Sequence, residues 1–246
     1  MRRVLVAGAT GETGRRVVAA LRARGDAVRA LARDAARARA VLGDDVEVHV
    51  GDVRDAASLV GAARDVAGAI NCVGTRTYFG ANGGAAVDAL GAAHLAAALA
   101  ADGVPHLVHL SAFGLDRRSV WLSAFSAALG DYFRHKAAAE AAVRASGAPW
   151  TIVRPVELRN RLPHGVPLLN QDAPWSLLRT VSRELVADVL VRCLGDAGAV
   201  GKTFELSEGP GPAFEAQLAA MREEASRPIP ARTPLLGRAF CRGCGG

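Results

Sequence analysis

One stretch constrains this chain more than any other: Gly8-Ala9-Thr10-Gly11-Glu12-Thr13-Gly14, which follows the apolar run Val4-Leu5-Val6-Ala7 and leads into a helix-forming run, Arg15 to Arg24. Strand, glycine turn and helix, in that order, is the setting in which three spaced glycines form a dinucleotide-binding fingerprint. Each glycine has its own task. Gly8 allows a tight turn off the strand, Gly11 lets the backbone approach a pyrophosphate, and Gly14 lets the helix pack against the strand. The amides and dipole at the helix start then favour phosphate. The competing reading is a glycine-rich turn with no ligand.

The rest of the first half repeats the alternation. Strand patterns at Ala27 to Ala32, Val46 to Val50, Ala67 to Val73 and Leu107 to Ser111 are separated by helix patterns at Asp34 to Leu42, Asp55 to Ala63 and Asn82 to Ala101. Alternation of this kind predicts an α/β fold of the doubly wound, Rossmann type: a parallel sheet covered by helices. A helix is expected over Asp131 to Ser146, a strand at Trp150 to Val153 stopped by Pro155, a helix over Val181 to Leu194 and a strand at Thr203 to Leu206. Phe113 to Gly130 reads as a loop or short helix. Val156 to Pro174, with three prolines, reads as a loop that covers a substrate. The expected organisation is one domain over residues 1–226, with its substrate-binding portion mainly in 156–226, and a poorly ordered Pro-, Arg- and Gly-rich tail over 227–246.

With 246 residues, half of them apolar, the chain can bury a full core. No apolar run is long enough to span a membrane, and the apolar opening is too short for a signal peptide. The net charge is +6, carried almost wholly by arginines scattered over helices rather than gathered into a stripe. That distribution argues against a nucleic-acid partner and is compatible with an anionic cofactor. The four cysteines lack the spacing of a disulfide framework, so a cytoplasmic setting is expected. Cys241 and Cys244 form a lone C-x-x-C pair without partner ligands, and no metal site is expected from it.

In such sheets ligands bind beyond the carboxyl ends of the strands, so those ends hold the candidate residues. Arg33 follows the second strand, where an acidic residue would favour NAD and an arginine would pair with a 2′-phosphate. NADP(H) is therefore expected over NAD(H), with a solvated surface arginine as the alternative and Asp34 as a helix cap. Asp52, after the third strand, either accepts from an adenine amino group or caps a turn. Gly74 ends the fourth strand and lets backbone pass close to the cofactor. Arg76 either touches phosphate or substrate, or is solvated.

Tyr132 and Lys136 stand four apart on an expected helix and so share a face. The chain has only two tyrosines and two lysines, which makes their meeting at this spacing informative. Carbonyl reduction uses such a pair: a phenol gives a proton to the developing alkoxide, and an ammonium stabilises the phenolate left behind. The alternative is an ordinary helix-surface pair. Ser111, at the end of the fifth strand, is the candidate to orient a carbonyl. His109 reads as a core or edge histidine, and His135 as a reserve acid.

Together these residues resemble the atypical short-chain dehydrogenase/reductases of the NAD(P)H-binding, NmrA-like group. The likeness rests on the glycine loop, Ala32-Arg33-Asp34, Gly51-Asp52-Val53, Ala148 to Pro155, and Val181-Ser182-Arg183-Glu184. Val73-Gly74-Thr75-Arg76 and Ser111-Ala112-Phe113 are similar, more narrowly, to the flavin reductase/biliverdin reductase B branch. The resemblance implies that Gly8, Gly11 and Gly14, with Thr10 and Thr13 in the same turn, hold pyrophosphate. It implies that Arg33 meets the 2′-phosphate, that Asp52 and Val53 line adenine, and that Gly74, Thr75 and Arg76 lie along the cofactor. Ala112 stands where the wider family often has a second hydroxyl, and the flavin reductase branch lacks the Tyr132/Lys136 pair.

The resulting expectation is an NADPH-dependent reductase acting on a small-molecule ketone, quinone or flavin-like acceptor. Tyr132 would be the acid, Lys136 would lower its pKa and hold the ribose, and Ser111 would orient the substrate. The alternatives are a non-catalytic NADP sensor, which has no need of the pair, and an epimerase or dehydratase that keeps its cofactor bound.

Overall fold

The computed structural model describes residues 2–75, 83–115, 131–171 and 179–224. Ten strands and six α-helices follow one another among these residues. The first half contains β1 (Arg3–Ala7), α1 (Glu12–Ala23), β2 (Ala27–Ala32), α2 (Ala35–Leu42), β3 (Glu47–Val50), β4 (Gly68–Asn71), α3 (Gly91–Ala101) and β5 (Leu107–Leu110). The second half contains α4 (Tyr132–Ala145), β6 (Trp150–Pro155), β7 (Glu157–Arg159), β8 (Val166–Asn170), β9 (Thr180–Ser182), α5 (Arg183–Cys193), β10 (Lys202–Gly209) and α6 (Phe214–Ala219).

Eight of the strands form one sheet in the order β3-β2-β1-β4-β5-β6-β10-β8. All its pairings are parallel except that of β8 with β10. This is the expected Rossmann-like α/β fold. The chain runs outward from β1 through β2 to β3, then returns to the other side of β1 with β4. The reversal opens a crevice beyond the carboxyl ends of β1 and β4.

Strand alternation divides the core between the two faces of the sheet. Val4 and Val6 point to one side with Val17 and Leu21 of α1 and Val186 and Leu190 of α5. Leu5 and Ala7 point to the other with Leu95 and Leu99 of α3 and Val143 of α4. Polar caps end the loops between layers: the Asp34 carboxylate accepts from Arg37 N, and the Ser182 hydroxyl accepts from Leu185 N.

Several local expectations are corrected. The segment after Asp55 forms only a short 3-10 turn, Ala56–Leu59, capped by the Asp55 carboxylate, which accepts from Ala57 N. The alanine-rich stretch is not one continuous α-helix, because Ala85–Leu90 is a π-helical turn that runs into α3. Val156 to Pro174 is not wholly loop: it contains β7 and β8, the latter pairing with the end of β10. Its prolines conceal the strands, since Pro167 lies within β8 on the open side of the sheet. The expected tail, 227–246, and most of the Phe113 to Gly130 segment lie outside the described residues. Among the described residues no helix is long and apolar enough to cross a membrane.

Candidate active site

The glycine turn is built by close approach. Gly8 has φ +75°, a conformation that disfavours side chains, and a Cβ there would stand 2.8 Å from the backbone of Cys72 at the end of β4. A Cβ on Gly14 would stand 2.1 Å from Gly8 O, so the first turn of α1 can rest on the loop only if Gly14 lacks one. Gly11 N donates to Gly8 O at 3.0 Å and closes the turn. Gly11 is also the N-cap of α1 and, being glycine, offers no side chain to the first-turn amides. A helix start without a capping side chain suits an anion. The one carboxylate in that turn, Glu12, is drawn aside by Asn160 at 3.0 Å and Arg183 at 3.4 Å.

A cleft of about 430 Å³ runs from this turn along the strand ends. Gly8, Thr10, Gly11, Arg33, Asp52, Val53, Gly74 and Thr75 all line it. Eight of the residues singled out from the sequence therefore share one cavity. Thr13 and Gly14 are buried behind it, in α1. Arg76 lies outside the described residues.

The sequence reading missed Arg54, Cys72 and Val87, which also line the cleft. Arg54 matters most. Its guanidinium grips the Asp52 carboxylate, with Nε 3.0 Å from Oδ1, and holds the Asp52 carboxyl below its usual range. Arg33, also exposed, adds to that effect. Two guanidinium groups thus flank one carboxylate at the rim beyond β2 and β3. The Cys72 thiol is pushed up to about 12 by burial and stays protonated at neutral pH.

Beside Gly74, in the cleft wall, lies the N-terminal half of α4. Lys136 Nζ is 5.9 Å from the centroid of the Tyr132 ring, so the two share a face as expected. The same ammonium forms an ion pair with Asp88 Oδ1 at 2.8 Å, and the two side chains are 8% and 1% exposed. Burial works against the charge on Lys136. Asp88 outweighs it, with Tyr132 and Glu140 adding to the effect, and the ammonium is held above its usual pKa. A Cβ placed on Gly74, in the cleft wall, would be 3.7 Å from Lys136 Nζ. Lys136 therefore links the Tyr132 ring to the cofactor cleft.

Ser111 is buried, and its hydroxyl donates to Glu140 Oε1 at 2.6 Å. The hydroxyl proton is thus engaged within the protein. Glu140 also accepts from Arg154 through both oxygens, at 2.8 and 2.6 Å, and from Arg144 at 3.0 Å. His109 is wholly buried; its Nδ1 lies 3.0 Å from Asn71 Nδ2, and burial pushes its pKa down to about 3. The imidazole is neutral and part of the core. His135 is half-buried, with its Nδ1 buried beside Gly84. Among the described residues no group of three or more His, Cys, Asp and Glu could hold a metal ion, and Cys241 and Cys244 lie outside them.

A family model described as NAD(P)H-binding matches residues 8–197. The chain belongs to that family. The cofactor class is NAD(P)H, and the chain is a Rossmann-fold oxidoreductase consistent with an atypical short-chain dehydrogenase/reductase. An uncharacterised chloroplastic protein of Arabidopsis thaliana is 33% identical over 219 residues, covering 83% of this chain and 76% of its own. A (4-alkanoyl-5-oxo-2,5-dihydrofuran-3-yl)methyl phosphate reductase of Streptomyces griseus is 32% identical over 236 residues, covering 92% of this chain and 75% of its own. Among solved structures, a putative NAD-dependent epimerase/dehydratase from Bacillus halodurans superposes with a TM-score of 0.74. It is 22% identical, the match covers 88% of this chain and 99% of that one, and it speaks to the fold alone. The NAD(P)H-binding assignment agrees with the cleft, whose glycine turn and uncapped helix start suit a pyrophosphate.

Proposed function

We propose that this protein is an NADPH-dependent reductase that reduces a ketone, quinone or flavin-like acceptor. The observation that carries the reading is Lys136, whose ammonium lies beside Gly74 of the cofactor cleft and faces the Tyr132 ring. When bound, NADPH supplies the hydride. Gly8, Thr10 and Gly11 would hold the pyrophosphate, with Thr13 and Gly14 shaping the turn from behind. Gly74 and Thr75 would lie along the nicotinamide half, together with Arg76. Val53 would floor the adenine, and Asp52 would accept from its amino group or fix the rim through Arg54.

Tyr132 would give its phenolic proton to the acceptor oxygen while the carbonyl carbon takes up that hydride, so that C=O becomes HC–OH. Lys136 would stabilise the phenolate left behind and hold the ribose hydroxyls. Ser111 stays in the proposal as the hydroxyl that orients the acceptor, by exchanging its bond to Glu140 for one to the substrate oxygen. Most of the rate gain would come from holding donor and acceptor in register. NADP(H) is preferred over NAD(H) in this reading because Arg33 is exposed at the rim, where a 2′-phosphate would lie. A single domain over residues 1–226 and a cytoplasmic setting belong to the same proposal.

Fluorescence titration with NADPH and NADH, followed in the same cuvette by quinones, flavins and ketones, tests it. Tighter binding of NADPH, with oxidation on one acceptor class, is the expected result. Tight binding without turnover on any acceptor would move the reading to a cofactor sensor. Cofactor that copurifies and is not consumed would move it to an epimerase or dehydratase.

A further inference from the structure

Asp88 belongs to no motif in the sequence, yet it is the most deeply buried carboxylate beside the cleft. It sits in the π-helical turn Ala85–Leu90, whose neighbour Val87 lines the cleft. Turns of this type are rare and recur at functional sites. Here the turn is pressed against the cofactor wall. A Cβ on Gly91, its C-cap, would meet Val53 Cγ2 at 2.7 Å. A Cβ on Gly74 would be 3.6 Å from Asp88 Oδ1, the oxygen that pairs with Lys136. The second oxygen, Oδ2, accepts no hydrogen bond among the described residues.

We propose that Asp88 is a positioning residue for Lys136: it keeps the ammonium charged inside the protein and aims it at Gly74, where the nicotinamide ribose would lie. The ribose placement rests on the reductase reading above; the ion pair does not. A buried lysine without a partner tends to discharge. A neutral amine could neither stabilise a phenolate nor donate three hydrogen bonds. Asp88 therefore supplies what the Tyr132/Lys136 spacing alone lacks. Among the described residues, the other groups that face Lys136 are Tyr132 and Glu140 on its own helix, the Cys72 thiol at the end of β4 and His109 on β5. Cys72 and His109 are neutral at pH 7. Glu140 is already taken up by Arg154 and Arg144. Asp88 is thus the carboxylate whose charge is committed to Lys136.

The scarcity of lysine makes the test direct. With lysine labelled with 13C and 15N, the chain gives side-chain signals from Lys136 and Lys202 alone, and Lys136→Met identifies which is which. Asp88→Asn keeps the shape and removes the charge. The expected result is that the Lys136 titration midpoint falls by at least one pH unit in Asp88→Asn and recovers in Asp88→Glu. NADPH affinity is expected to fall several-fold in Asp88→Asn and to recover in the same way. A Lys136 midpoint that stays in place in Asp88→Asn overturns the proposal. Should Asp88→Asn not fold, the unmutated protein gives the answer. A buried ion-paired ammonium shows an Nζ–H3 signal that persists at neutral pH, and a Lys136 that has already lost its proton there overturns the proposal. Failure of the reductase reading is a separate result, seen as no acceptor turnover in the unmutated protein while the Lys136 titration still depends on Asp88.

Discussion

Helix α4 carries buried charge at both ends, and the two ends treat it differently. In its C-terminal half, Glu140 accepts four hydrogen bonds, from Ser111, twice from Arg154 and from Arg144. Arg144 continues outward to Thr203 and to Glu224 at 2.6 and 3.0 Å. In the N-terminal half, the ion pair of Lys136 with Asp88 leaves Asp88 Oδ2 and His135 Nδ1 without hydrogen bonds among the described residues. A saturated network fixes α4 on β6 and β10 and can serve a ligand only by giving up a bond it already has. Buried polar groups that are not saturated cost free energy in the absence of a partner. They are tolerated where a ligand completes them, and this end is the one that borders the cleft.

The largest effect should come from breaking the saturated end. Glu140→Leu leaves the buried Arg154 guanidinium without its carboxylate. Removing one partner of such a pair costs about 3–5 kcal/mol. Urea denaturation should show that loss, with NADPH affinity per folded molecule changed little. A loss below about 1 kcal/mol would mean that Arg154 readily finds another partner or water, and the contrast between the two ends would fail.

At the open end the effect should fall on rate instead. Tyr132→Phe should leave stability within about 1 kcal/mol and NADPH affinity unchanged, and should lower acceptor reduction by roughly 10²–10⁴-fold. Unchanged turnover would mean that the acceptor needs no protein acid, which points to flavin-type reduction. Ser111→Ala sharpens the comparison, since Ser111 faces the saturated end while being expected to serve the open one. A loss of rate without loss of stability would assign its hydroxyl to the substrate, whereas a loss of stability alone would assign it to Glu140.

The sequence disclosed the two ends unequally, for a physical reason. The glycine turn, the strand ends and the Tyr132/Lys136 pair are local patterns, set by the periods of strand and helix, and a single segment contains all the information. Arg33, Asp52 and Gly74 follow from the rule that ligands lie beyond strand ends. Asp88, Glu140, Arg154 and Arg54 owe their roles to contacts between separate segments or to burial, which no local period reports. Asp88 was doubly concealed. An alanine-rich run reads as a uniform helix, and nothing in the composition announces the π turn that sets Asp88 against Lys136. The strand β8 was hidden in the same way by its prolines and by a partner, β10, far along the chain.

His109 lies between the two ends, and acid should act through it. Burial pushes its pKa down to about 3 and that of His106 to about 4, from an ordinary 6.5. The folded state resists protons that the unfolded chain takes up, so stability is full above about pH 6.5 and is lost as pH falls towards those folded values. Glu140, held below its ordinary 4.5 by Arg154 against the cost of burial, adds a further loss only below that pH. Stability should therefore fall by about 2 kcal/mol or more between pH 7 and 5, before carboxylates titrate. A urea midpoint that is flat over that interval would mean that these imidazoles gain protons without unfolding. The saturated end would then be less closed than its hydrogen bonds suggest.

The smallest expected effect tests the far rim of the cleft, where the contrast between occupied and available charge recurs on the surface. Arg54 is engaged by Asp52, with Nε at 3.0 Å from Oδ1, whereas Arg33 is exposed beside the same carboxylate. If availability marks function here as it does on α4, Arg33 meets the 2′-phosphate and Arg54 steadies the wall. Arg33→Ala should then weaken NADPH about 10-fold, equivalent to about 1.4 kcal/mol, and leave NADH unchanged. Arg54→Ala should weaken both cofactors alike, because it releases Asp52 and the rim rather than a phosphate contact. Equal loss of NADPH and NADH in Arg33→Ala would overturn the assignment. Loss of NADPH alone in Arg54→Ala would show that its bond to Asp52 opens when phosphate arrives, and that an engaged side chain can still be the one that selects the cofactor.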